Sequence, residues 1–144
     1  MSRITFPLLL AALAIGGNAQ AACITLHSHK GGCQMTVPAD WHVGKLLKSS
    51  ADAPDGSMHA VISGSAPDTD LAFSKQVMEG SYPPKHVFED SSRRLFYRYG
   101  SDGEPGYYVG VPGRQGNVCG AQIGAPAGKE ALVKQLAATV GATP

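Results

Sequence analysis

The chain has 144 residues, 43% hydrophobic and 16% charged, with a net charge of +1 at pH 7. That length fits one domain. So even a balance of charge argues against an obligatory polyanionic partner such as nucleic acid, and eighteen glycines with ten prolines predict a turn-rich fold of several strands.

Residues 1–21 read as a signal peptide. Arg3 supplies the positive start, residues 6–15 are an apolar run broken only by Pro7, and Ala19-Gln20-Ala21 fits the small-x-small cleavage pattern. The run is well short of the ~20 residues that span a bilayer, and no later segment is long enough to do so. The expected mature chain is one domain, residues 22–144, exported to the periplasm of a Gram-negative bacterium. Removing Arg3 with the leader leaves eleven basic residues against eleven acidic ones.

There are three cysteines, Cys23, Cys33 and Cys119. An exported protein can form disulfides, and an odd count leaves one thiol over. Cys23 stands where a lipoprotein would carry its lipid. Gln20-Ala21-Ala22 departs from the Leu-Ala-Gly/Ala pattern of such signals, so a lipid anchor at Cys23 is the minor reading. Cys33–Cys119 is the preferred bridge and would contribute ~3–4 kcal/mol by closing a long loop. Cys23–Cys33 stays open, because sequence does not fix connectivity.

In chain order, residues 23–29 and 33–37 alternate and are separated by Lys30-Gly31-Gly32, which predicts a hairpin. Cys33, Met35 and Val37 share one of its faces, and Pro38 ends it. Residues 42–48 fit either a strand or an irregular segment. Residues 49–56 read as a polar loop ending in the turn Asp55-Gly56. Residues 57–64 are the next strand, with Met58, Ala60 and Ile62 on one side. Asp68-Thr69-Asp70 starts a helix over 70–79 that stops near Gly80, ahead of Pro83-Pro84. Residues 86–99 are strand-like, with a turn near 90–92. Leu95, Tyr97 and Tyr99 share one face; Arg94, Phe96 and Arg98 share the other. The turn 101–106 sends residues 107–111 back as a hairpin, and residues 117–124 form the last strand. Residues 129–140 form the strongest helix, with Leu132, Val133, Leu136, Ala137 and Val140 as one apolar stripe. Mostly antiparallel strands with two packed helices make an α+β fold.

No local motif announces a reaction. Gly128-Lys129 opens a helix after a strand, as in a phosphate-binding loop, but Ile123 replaces the first glycine and Glu130 the magnesium-binding hydroxyl. Cys119 has no neighbouring histidine to make it a nucleophile. Ser63-Gly64-Ser65 lacks the Gly-x-Ser-x-Gly elbow. No catalytic residue and no cofactor is assigned. His27 and His29 stand two apart on a predicted strand, a spacing that suits copper or zinc if Cys23, His42 or His59 adds a third ligand. Against this stands an ordinary pair of surface histidines beside a turn. Arginine and tyrosine are enriched at contact hot spots, which points to Arg94, Phe96, Arg98 and Tyr108, read here as facing away from Leu95 and Tyr97. The bland reading of that patch is one sheet face covered by helices, with solvated arginines on the other.

Met35-Thr36-Val37-Pro38-Ala39-Asp40-Trp41 resembles the strand end of small PsbP-like domains. An aromatic-rich strand follows, then Val118-Cys119-Gly120-Ala121-Gln122-Ile123, the turn Ala125-Pro126-Ala127-Gly128 and a closing helix, in the same order as in that family. The resemblance covers most of the mature chain. It implies an antiparallel sheet with helices packed against it and a mostly non-enzymatic role. Members include extrinsic photosystem subunits, a nuclear-transport protein that binds a small GTPase, and bacterial secretion adaptors. No contact residue carries over. The expectation is an exported, non-enzymatic protein-binding domain, acting as an inhibitor or immunity-type protein or as an envelope accessory factor. The alternative is a periplasmic copper or zinc protein using His27 and His29.

Overall fold

The computed structural model describes residues 22–144, and the expected leader lies outside them. The first hairpin forms as its alternation predicts. β1 (Cys23–His27) pairs with β2 (Cys33–Pro38) in the register Leu26↔Met35. The chain end adds β10 (Gly141–Ala142) to the free edge of β2, which completes a three-stranded sheet.

A second, larger sheet holds β3 (His42–Val43), β4 (Ser50–Asp52), β5 (His59–Gly64), β6 (His86–Asp90), β7 (Leu95–Gly100), β8 (Pro105–Pro112) and β9 (Val118–Gly124). Its spatial order is β3-β4-β5-β9-β8-β7-β6, antiparallel throughout. The helices are α1 (Leu71–Ser81) and α2 (Glu130–Ala137). The fold is α+β.

Side-chain alternation gives the large sheet two faces. On one, Ala60, Ile62, Phe96, Val109, Ala121 and Ile123 merge with Leu26, Met35 and Val37 of the small sheet and Val133, Leu136 and Ala137 of α2. Burying each large aliphatic side chain there contributes ~1.5–3 kcal/mol. Cys33 and Cys119 form the expected disulfide, with Cα atoms 5.4 Å apart, and so cross-link β2 to β9. On the opposite face α1 packs Leu71 and Met78 against Leu95, Tyr97 and Tyr108.

Three local expectations change. The stretch 49–56 is not all loop: Ala51 is buried and pairs with Ala60. Ser-Ala-Asp is too short and too small to show its alternation in sequence. The helix over 129–140 ends at Ala137, because the chain must extend to reach β2 as β10. α1 runs one residue past Gly80, and its last turn closes with Tyr82 N–H donating to Met78 O at 2.7 Å.

Candidate functional site

α1 is aimed by its N-terminus. Asp70 accepts a hydrogen bond from the Phe73 amide at 2.8 Å, as an N-cap does. Lys75, one turn on, pairs with Asp90 at the end of β6 and ties the helix to that strand. Leu71, Ser74 and Met78 lie at i, i+3 and i+7 and form the inner stripe. Phe73 and Val77 form a second stripe at i, i+4, and they remain 58% and 50% exposed.

That second stripe overhangs a cleft of about 320 Å³ between α1 and the sheet. The floor carries Ser63 of β5, Gly120 and Gln122 of β9, and Tyr108 of β8. Glycines make this floor low. A Cβ on Gly110 or Gly120 would lie 3.0–3.1 Å from the Tyr108 hydroxyl, tighter than ordinary contact, so the missing side chains leave room for the ring across both strands. Tyr99 lies over Gly106 in the same way, accepts a hydrogen bond from Gln122 at 3.2 Å and packs on Tyr82 at 4.8 Å.

The electrostatics are those of neutral groups. Burial pushes the Tyr108 phenol up to about 12. It pushes Tyr97 and Tyr99 up as well, the Gln122 hydrogen bond opposing the shift at Tyr99. The Tyr97 hydroxyl is buried with no hydrogen-bond partner among the described residues. The lining holds no histidine, cysteine, lysine or carboxylate. Near neutral pH the cleft offers hydroxyls, an amide and apolar surface, an inventory suited to binding.

The structure splits the aromatic-arginine patch that the sequence suggested. The loop 101–104 sets the register Tyr97↔Tyr108, and directly opposed residues share a face. Tyr108 therefore stands with Tyr97 in the α1 layer, not with Phe96. Phe96 is 3% exposed in the main core, stacked on Phe88 at 4.5 Å. Arg94 sits 5.0 Å over the Phe96 ring and pairs with Glu89 at 3.1 Å, and Arg98 pairs with Asp102 at 3.3 Å. Arg94, Phe96 and Arg98 do share one face, as expected, but Phe96 is core.

His27 ends β1 and His29 lies in the turn beyond it, both exposed. They are therefore not two residues of one strand. His59, offered as a third ligand, faces Asp52 at 2.6 Å. Among the described residues no group of three or more histidines, cysteines or carboxylates could hold a metal ion. Cys23 opens β1, exposed and outside the disulfide. Lys129 precedes α2 in an ordinary turn with Gly128 at φ +89°. No helix among the described residues is long and apolar enough to cross a membrane.

Sequence reasoning placed α1 but missed its cleft. The available signal was its double apolar pattern, Leu71/Met78 and Phe73/Val77, which is more than one buried stripe needs.

No family model and no curated protein matches the chain. Among solved structures, the chain is similar to cyanobacterial PsbP (CyanoP) from Synechocystis sp. PCC 6803, with a TM-score of 0.52 at 14% identity. The match covers 88% of this chain and 96% of that one. At that identity the likeness is one of fold, and the fold is PsbP-like, as the Met35–Trp41 strand end and the closing strand-turn-helix implied.

Proposed function

We propose that this chain is an exported, non-enzymatic binding protein that holds a protein partner in the cleft under α1. The observation that carries the reading is Phe73 and Val77, two large apolar side chains half exposed on a helix whose inner stripe is already packed. Apolar side chains lining a polar-floored cleft suit the insertion of a partner's side chains. The neutral lining supports binding over catalysis, since general acid–base chemistry draws on groups that titrate near the working pH. The buried Cys33–Cys119 bridge supports export, because the cytosol keeps thiols reduced. Inhibition of an envelope or toxin activity, or an accessory role in envelope assembly, fits such a protein.

The test is site-specific photo-cross-linking in cells. A photoreactive residue at position 73 or 77 is expected to trap one discrete partner; one at position 94, on the aromatic-arginine hairpin, is expected to trap none. Phe73→Ser with Val77→Ser is expected to abolish the adduct while moving stability by less than ~0.5 kcal/mol, as for exposed positions. Adducts from position 94 alone would return the contact to the hairpin, and no adduct from 73 or 77 would sink the cleft reading.

A further inference from the structure

At one end of the sandwich, residues 44–49 join β3 to β4 and carry Lys45-Leu46-Leu47-Lys48. Leu46 is 97% exposed and Leu47 52%. The loop is held at both ends: Gly44 N–H donates to Ser50 O at 2.9 Å, and His27 N–H donates to Lys48 O at 3.1 Å. It is also tight, since a Cβ on Gly44 would fall 2.8 Å from Leu47 O. Leu46 is thus held out into solvent, while both leucines also border a hollow of about 230 Å³ beside His27, Ser28 and His29.

Four cations lie around the tip. Lys45 and Lys48 flank the leucines, and Lys30 lies in the β1–β2 turn, which the Lys48 contact to His27 brings alongside. Asn117 donates to Gly31 O at 2.9 Å and so joins this turn to the β8–β9 turn, which carries Arg114. None of these four cations enters an ion pair among the described residues. Elsewhere on the molecule Lys75, Arg94, Arg98 and Lys134 are paired, whereas Lys85, Arg93 and Lys129 enter no ion pair among the described residues. The carboxylates at this end are Asp68 and Asp70 of the turn into α1, and Asp70 is engaged in capping the helix.

We infer that this tip docks the protein on a bilayer surface that carries anionic headgroups. Leu46 and Leu47 enter the boundary between headgroups and acyl chains, while Lys30, Lys45, Lys48 and Arg114 meet the negative surface. Exposed leucines flanked by unpaired lysines complement a soft, negatively charged plane. The inference is independent of the cleft under α1.

The test is co-sedimentation of residues 22–144, which carry every described element of the fold, with phosphatidylcholine vesicles made with and without phosphatidylglycerol. Binding is expected only with phosphatidylglycerol, and it should weaken as salt shortens the Debye length. Leu46→Ser with Leu47→Ser is expected to lower it ~tenfold or more. Lys45→Gln with Lys48→Gln should lower it ~tenfold, and Phe73→Ser with Val77→Ser should leave it unchanged. These substitutions are at exposed positions, and unchanged circular dichroism would show that the fold is kept. Absence of vesicle binding, equal binding to both vesicle types, or binding indifferent to either the leucine or the lysine pair would overturn the inference. So would a soluble protein captured by a photo-cross-linker at position 46 in place of lipid.

Discussion

The two faces of the seven-stranded sheet are built on opposite plans. The face toward α2 carries Ala60, Ile62, Phe96, Ala121 and Ile123, each 3% exposed or less, and it is stapled to the small sheet by Cys33–Cys119. The face toward α1 carries glycines with tyrosine rings laid across them, and one helix covers only part of it. Interdigitated aliphatic side chains leave no room for a ligand and supply most of the burial. Flat rings over glycine bury less, keep hydroxyls near the surface and leave a trough. The difference teaches where this fold stores stability and where it can bind.

The comparison is tested most severely at the staple. Replacing Cys33 and Cys119 together by alanine is expected to cost ~2–5 kcal/mol in urea unfolding. A loss below ~1 kcal/mol would mean that packing alone holds the stapled face.

Alkaline pH probes the tyrosine face instead. Tyr97 and Tyr108 are both raised above the ordinary tyrosine value by burial. The folded chain therefore keeps protons that the unfolded chain releases above pH ~10. Stability is expected to be level below that pH and to fall toward pH ~12, by ~1.4 kcal/mol per pH unit for each tyrosine held neutral. Urea titrations at stepped pH, with tyrosinate absorbance, would follow it. Tyrosinate forming freely before unfolding would contradict the buried placement.

Gly106→Ala sharpens the contrast within one strand. Its Cβ would clash with Cε2 and Cζ of the Tyr99 ring, which must lift and disturb Tyr82 at the end of α1. The expected cost is ~1–3 kcal/mol, measured by thermal unfolding. A stabilised variant would show that the ring lies there by convenience only.

The smallest expected effect has the opposite sign. Tyr97→Phe removes a buried hydroxyl that has no partner among the described residues, so stability should rise by ~1 kcal/mol. A loss on this substitution would reveal a bound water or an undetected acceptor under α1.

Much of the frame was legible before any coordinates. The Lys30-Gly31-Gly32 turn, the alternation of Met58, Ala60 and Ile62, the helix start at Asp68-Thr69-Asp70 and the α2 stripe are all short-range signals, and each reappears in the structure. The Cys33–Cys119 pairing was legible only as a preference, and the fold brings the two together. The candidate site was not legible. Tyr108 was read onto the face of Phe96, because each strand of the β7–β8 hairpin alternates clearly while the offset between them depends on how the loop closes. Phe73 and Val77 fall inside the expected helix over 70–79, and nothing local says that the surface beside them is left uncovered.

The sequence by itself determined the period of each main strand and helix and where most of them start and stop. Those properties depend on neighbours within a few residues. Only the tertiary structure decided that Tyr108 joins the α1 layer, that Phe96 belongs to the core, and that Phe73 and Val77 overhang a cleft. Those properties depend on register and on what lies opposite, and segments distant in the chain set both.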